Sequence, residues 1–299
     1  MGGQKPFRFN RRYNMATFYN QATLSYNNRV TNSNVVSGEI VEVLSATKSA
    51  LDTEYNAGDT ATYIISIVNS GNTAFDNVTV SDNLGAYALD AGTELTPLTY
   101  IDGSARYYVN GVMQNNPVVQ QGQTLEFTGL NVPANSNAMI IYEARVNNFA
   151  PLGENANVNN TATLTAPGLT NPVEADFTIA ASQEPNLSIT KALSPATVAE
   201  NGQLTYTFVI QNTGGTEAEA TDNIIVSDTF NPILSNITAA LDGVTLTPTN
   251  DYSYDEGTGA FETVGGRITV PAATYTQNPD TGEWITDPGT ATLTVTGTV

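Results

Sequence analysis

The sequence predicts an all-β chain: two tandem Ig-like β-sandwich domains preceded by an N-terminal β-hairpin. Three observations predict it. Charged residues are only 13% of the 299 residues, while Thr, Asn, Ser and Gly abound, which is the composition of short strands joined by polar turns. Runs with period-2 alternation recur between turn signals at sandwich spacing. Finally, the chain repeats itself, and its length suits two domains that each bury a core.

The repeat is read residue by residue. Leu44-Ser45-Ala46-Thr47-Lys48 matches Leu187-Ser188-Ile189-Thr190-Lys191, each followed by a turn with glycine, at Gly58 and Gly202. The alternating run 61–68 matches 204–211, and the runs close in Asn69-Ser70-Gly71 and Asn212-Thr213-Gly214. Asp76 to Asp82 then matches Asp222 to Asp228, Val132-Pro133-Ala134 matches Val270-Pro271-Ala272, and the strand 139–146 matches 292–299. The first copy continues through a hairpin, Val158 to Leu164 and Val173 to Ala180. The second copy has no counterpart of it.

The beginning of the chain carries the missing piece. Phe18 to Leu24, a turn at Asn27-Asn28-Arg29 and Val35 to Val41 form a hairpin pattern in which Asn20-Gln21-Ala22-Thr23-Leu24 parallels Asn160-Thr161-Ala162-Thr163-Leu164. The organisation expected is an arm over 1–17, a donor hairpin over 18–42, a complete domain over 43–182, and a domain lacking its final hairpin over 183–299. A sandwich short of two strands exposes an apolar groove and unpaired backbone, which strand addition from another molecule satisfies. Phe18, Asn20, Ala22 and Leu24 are the expected donor face. Head-to-tail addition is heterologous and generates an open filament unless it closes into a ring. Two other readings stand beside it: an extra hairpin on the first domain, and closure within one chain, which the short linker opposes.

Residues two apart on a strand share a face. Lys48 shares its face with Leu44 and Ala46, Asp82 with Val78 and Val80, and Asn160 with Val158, Ala162 and Leu164. Lys191 and Asp228 repeat the pattern in the second copy, and Asn20 repeats it in the hairpin. Burial lowers a Lys pKa and raises an Asp pKa, so an inward Lys and Asp tend to a neutral amine beside a neutral acid. That pair suits amine attack on an Asn side-chain carbonyl, with ammonia leaving and an isopeptide bond formed. Two of only three lysines, Lys48 and Lys191, hold equivalent positions. The expected bonds are Lys48 to Asn160 assisted by Asp82 within one chain, and Lys191 to Asn20 of another chain assisted by Asp228. A buried salt bridge without covalent chemistry, or a Lys head group reaching solvent, explains the same pattern.

With these motifs in view, the repeat resembles the β-sandwich repeat of bacterial surface proteins catalogued as domain of unknown function number eleven. The Thr-Lys strand end, the glycine turn, the Asn-x-Gly turn, the strand ending at Asp82 or Asp228, and the Asn-Thr-Ala-Thr strand at Asn160 carry the resemblance. It implies surface or adhesive structures, and it extends to subunits of ribbon-like appendages on clostridial endospores. Appendage proteins made inside a mother cell need no secretory signal, in keeping with an N-terminus that lacks an apolar signal core. Residues 1–14 are unexplained by the family; they suit a connecting arm, a basic docking tail, or vector-derived residues ahead of an alternative start at Met15.

The function expected is thus a structural, non-enzymatic subunit of an extracellular cell-surface or spore-surface fibre. Its partners are copies of itself, with an anchoring protein or a tip adhesin beyond them. The alternative is a surface adhesin or coat-layer protein that binds carbohydrate or protein, with Tyr107, Tyr108, Tyr252, Tyr254 and Trp284 as an aromatic surface. The formal charge of −19 opposes nucleic acid and anionic lipid. No run approaches the roughly eighteen apolar residues of a membrane span. Absence of Cys and His removes disulfides, thiolate chemistry and the commonest metal ligand. No cofactor and no metal are expected, the acidic loops at Asp76-Asn77, Asp222-Asn223 and Asp251 to Glu256 reading as solvated turns.

Overall fold

The computed structural model describes residues 15–26, 29–41 and 43–299. Residues 1–14 and the turn residues Asn27 and Asn28 lie outside the described residues, and with them the arm up to Asn14 and most of the hairpin turn.

The N-terminal segment is a hairpin in two rungs. β1 (Met15–Asn20) pairs antiparallel with β4 (Val36–Val41), and β2 (Thr23–Tyr26) pairs with β3 (Arg29–Asn32). The sequence predicts one unbroken strand over Phe18 to Leu24; instead it is interrupted at Gln21-Ala22. Asn20 faces Val36 and Thr23 faces Asn32, so Gln21 and Ala22 oppose Ser33, Asn34 and Val35, an extra residue that cannot join the ladder. Ser33 fills the gap: its hydroxyl accepts from the Ala22 amide, and its carbonyl accepts from the Gln21 side chain.

The first domain holds β5 (Leu44–Ala50), β6 (Glu54–Tyr55), β7 (Thr60–Asn69), β8 (Phe75–Asp82), β9 (Tyr87–Ala88), β10 (Glu94–Leu95), β11 (Leu98–Tyr100), β12 (Arg106–Val109), β13 (Val112–Met113), β14 (Val118–Gln121), β15 (Leu125–Val132), β16 (Ser136–Val146), β17 (Asn157–Thr165) and β18 (Val173–Ala181). One sheet runs β13-β12-β16-β7-β5 with β11 also on β16, and the other runs β14-β15-β8-β17-β18-β6. Strict alternation on β7 and β16 drives every second side chain between the sheets, where Ile65, Ile67, Val80, Phe127, Ile140 and Leu164 are buried.

The second domain holds β19 (Leu187–Ser194), β20 (Gln203–Asn212), a short 3₁₀ turn at Ala220–Asp222, β21 (Ser227–Thr229), β22 (Ser235–Leu241), β23 (Val244–Thr245), β24 (Tyr252–Asp255), β25 (Ala260–Thr263), β26 (Thr274–Gln277), β27 (Trp284–Asp287) and β28 (Gly289–Thr298). Its first sheet, β19-β20-β28-β22-β23, follows the order β5-β7-β16-β12-β13 of the first domain. Its second sheet stops at three strands, β21-β25-β24, the counterparts of β8, β15 and β14. It has its own core, with Phe208, Ile210, Phe230, Phe261, Val270 and Leu293 buried.

The same device pins both domains. Asn69 donates to the carbonyls of Thr73, Val132 and Pro133 while its Oδ1 accepts from the Gly71 amide. Asn212 does the same with Thr216, Val270, Pro271 and Gly214. Each Asn is buried and ties the end of one sheet to the other, which is why the Asn-x-Gly turn recurs in the sequence. At Gly214 any side chain is excluded, because a Cβ would stand 2.2 Å from the Glu184 carbonyl oxygen. β26 and β27 form a separate hairpin; the Trp284 amide donates to the Asn148 carbonyl, and Gln277 donates to the Tyr87 hydroxyl, so this strap holds the first domain.

Candidate functional site

In the first domain, β5, β8, β16 and β17 each contribute one polar side chain to a single point in the core. The Lys48 ammonium is 2.7 Å from Asp82 Oδ2, and both side chains are 0% exposed. The Tyr142 hydroxyl donates to the same Oδ2 at 2.7 Å and accepts from Asn160 Nδ2 at 2.9 Å. Asp82 Oδ1 takes the Leu84 amide. Lys48, Asp82 and Asn160 are therefore brought together as the strand periodicity implies, with Tyr142 between the last two. The tyrosine was not singled out in the sequence, where an inward Tyr among Ile140 and Ala144 looks like ordinary core.

Burial lowers the Lys48 pKa to about 8, against the opposing pull of Asp82. Its Nζ lies 4.9 Å from the Tyr63 ring centre and 5.9 Å from that of Tyr142. Burial raises the Tyr142 hydroxyl well above its ordinary value, and it raises that of Tyr63 as well. Asn160 Oδ1 and the Tyr63 hydroxyl are both buried without a hydrogen-bond partner. An orphaned buried acceptor costs about 1–3 kcal/mol, so the amide carbonyl sits in a state that the fold imposes against its solvation.

The second domain holds half of this arrangement. Lys191 pairs with Asp228, and its Nζ lies 4.3 Å from the Tyr206 ring centre, but the side chains are 41% and 20% exposed. No Asn stands where Asn160 would be, since β17 and β18 have no counterpart. Val295 occupies the position matching Tyr142: Lys48 aligns through Ile65 to Ile140, and Lys191 through Phe208 to Leu293. Every residue of β19 is exposed, and among the described residues no strand stands where β17 and β18 cover the first domain.

The opening is apolar. Leu187, Ile189, Ile210, Ile224 and Val226 line a groove, and Ile189 is 52% exposed. The strand expected over Asp222 to Asp228 shrinks to Ser227–Thr229, whereas β8 runs eight residues with β15 on one edge and β17 on the other. With one neighbour missing, β21 is an edge that pairs only with β25.

The hairpin presents the complementary shortage. Its strands pair with one another and with no other described strand. Asn20, Ala22 and Leu24 are exposed, as are Val30, Val35 and Val36; Phe18 lies on β1, and its side chain is outside the description. The structure does not bring Asn20 to Lys191 within one chain's strand pairing. Nor do the aromatic residues converge: Tyr107 is in the core of the first domain, Tyr252 is in that of the second, and Trp284 lies on the strap. The Tyr254 hydroxyl is bound to the Leu234 backbone. Among the described residues, no three carboxylates gather as a metal site; Asp251 instead pairs with Arg267.

The fold and these sites define a tandem β-sandwich chain with one closed domain, one open domain and a hairpin that pairs with no other described strand. No family model and no curated protein matches the chain. Among solved structures it is similar to the major pilin subunit of Bacillus cereus, at 13% identity and TM-score 0.36 over 91% of this chain and 73% of that one. It is also similar to a C-terminal fragment of the major pilin of Streptococcus agalactiae, at 13% identity and TM-score 0.34 over 83% and 91%. A third is the collagen-binding domain of a Staphylococcus aureus adhesin, at 12% identity and TM-score 0.31 over 45% and 95%. At such scores these likenesses establish nothing about activity, and the architecture above rests on the chain's own strand pairing.

Proposed function

We propose that this chain is a non-enzymatic structural subunit of a bacterial cell-surface or spore-surface fibre. The hairpin of one copy completes the second domain of the next by donor-strand complementation, and the contact repeats head to tail. A single observation carries the reading: among the described residues the second domain has no counterpart of β17 and β18, while the hairpin resembling those strands pairs with no other described strand. By correspondence with β17, Ala22 would lie opposite Asp228 and Leu24 opposite Val226, which sets Asn20 toward Lys191. Lys48 to Asn160 would be an isopeptide bond within the chain, and Lys191 to Asn20 one between chains. An anchoring protein or tip adhesin would terminate the fibre.

Deleting residues 1–42 tests the proposal. The truncated chain should stay monomeric under conditions where the full chain forms filaments visible by electron microscopy. Filaments from the truncated chain would exclude the hairpin as donor. A chain that never polymerises but binds a glycan or protein would favour the adhesin reading.

A further inference from the structure

Building on the proposed Lys48–Asn160 bond, we infer that Tyr142 is a catalytic residue of that reaction, carrying a proton from Asp82 to the departing side-chain nitrogen of Asn160. The hydroxyl lies on the one atom of each group that the reaction requires. It touches Asp82 Oδ2, which also receives the Lys48 ammonium, and it touches Asn160 Nδ2, which must leave.

The hydrogen-bond directions set the amide's orientation. Because the Tyr142 hydroxyl spends its proton on Asp82, it can only accept from Asn160, and a side-chain amide donates through Nδ2 alone. The leaving nitrogen is thereby held on the acid's side, and Oδ1 is turned to the unsatisfied side of the pocket. The bond from Asn160 Nδ2 to the Tyr142 hydroxyl is 2.9 Å and buried.

The step balances as follows. Lys48 gives a proton to Asp82 and attacks Asn160 Cγ as the free amine, forming the new C–N bond and placing the electron pair of the carbonyl on Oδ1. Asp82 returns its proton to the Tyr142 oxygen as the Tyr142 O–H proton passes to Nδ2. The carbonyl re-forms, the Cγ–Nδ2 bond breaks, and the added nitrogen sheds its extra proton to the Asp82 carboxylate, which passes it on to the departing ammonia. Lys48 and Asn160 end as a secondary amide, and ammonium is released with the charge Lys48 first carried. No oxidant, reductant or external reactant enters.

Position 295 offers an internal comparison, since the second domain has Val where the first has Tyr142. Any bond made at Lys191 proceeds without this hydroxyl. The two cross-links of one chain would thus form at different speeds, the internal one first.

The test follows the intact mass of the full chain from the moment of cell-free synthesis, in wild type, in Tyr142→Phe, and with a ring-fluorinated tyrosine incorporated at position 142. Phe retains the ring packing on Tyr63 and Phe127 and removes only the hydroxyl. Loss of one ammonia from the denatured wild-type monomer, slowed about 10²-fold or more by Tyr142→Phe, is the expected result, in the usual range for a positioned acid or base. The fluorinated residue keeps the volume and alters the acidity, so it decides the matter even if Phe perturbs folding: a changed rate supports the relay, and an unchanged rate overturns it. A wild-type chain that never loses ammonia would overturn the cross-link itself and the relay with it. A Tyr142→Phe chain that reacts at the wild-type rate would overturn the relay alone.

Discussion

Lys48 and Asp82 form an ion pair with both side chains fully buried, and the two ways of disturbing them have different costs. Removing one partner leaves the other buried and uncompensated, which typically costs about 3–5 kcal/mol. Asp82→Ala is therefore expected to lower the urea midpoint markedly, and an Asn160→Ala chain, which retains the ion pair, should show a smaller loss. Lys48 also sets a pH dependence. Its folded pKa, about 8, is below the ordinary 10.5, so between those values the unfolded chain holds more proton and stability rises with pH. The urea midpoint of Asn160→Ala, compared with that of the Lys48→Met, Asn160→Ala double variant, should show this rise; a flat difference would place Lys48 in contact with solvent. The relay draws the proton that Asp82 returns from the Lys48 ammonium, so bond formation in wild type should slow as pH rises through about 8 and that proton is lost. In the sequence, Lys48, Asp82 and Asn160 are visible because a charged or amide residue breaks an apolar alternation. Tyr142 is hidden, since aromatic residues belong on such a face and only its hydroxyl, reaching across to other strands, separates it from packing.

At the scale of the strand, the repeat makes most of the architecture readable, down to the Asn-x-Gly turns that Asn69 and Asn212 complete. What escapes is whatever depends on a neighbour. The residues Ile224-Ile225-Val226 have the β-branched character of a strand, yet β21 begins only at Ser227, because propensity without a second ladder partner does not hold the backbone extended. The break at Gln21-Ala22 is likewise invisible to periodicity, being a register matter decided by Ser33 on the opposite strand. If a donor completes this sheet, hydrogen exchange of the unpaired amides between Ile224 and Thr229 should be fast in the monomer and slow in assembled material. Protection already complete in the monomer would mean that the edge is satisfied some other way.

For the molecule as a whole, a formal charge of −19 makes each copy repel the next. Basic residues concentrate at the start of the chain, with Lys5, Arg8, Arg11 and Arg12 in the first dozen positions, so the end that would approach an acidic neighbour is the least repelled. Repulsion between copies shortens with ionic strength, the Debye length falling from about 30 Å at 0.01 M to about 8 Å at 0.15 M. Polymerisation followed by light scattering should accordingly quicken as salt is raised over that range; a steep slowing would mean that attraction by the basic arm outweighs the repulsion between bodies.

Lys48 lies a few residues into β5, just past the point where the chain enters the first domain, and Asn160 lies near its exit, on β17. A bond joining them would close a loop around the whole intervening stretch, and tension drawn along the chain would cross from one strand to the other without loading anything between. The strands between Lys48 and Asn160 would then experience no pull, and the load would fall on β18, on the covalent backbone and on the seat where the next hairpin rests.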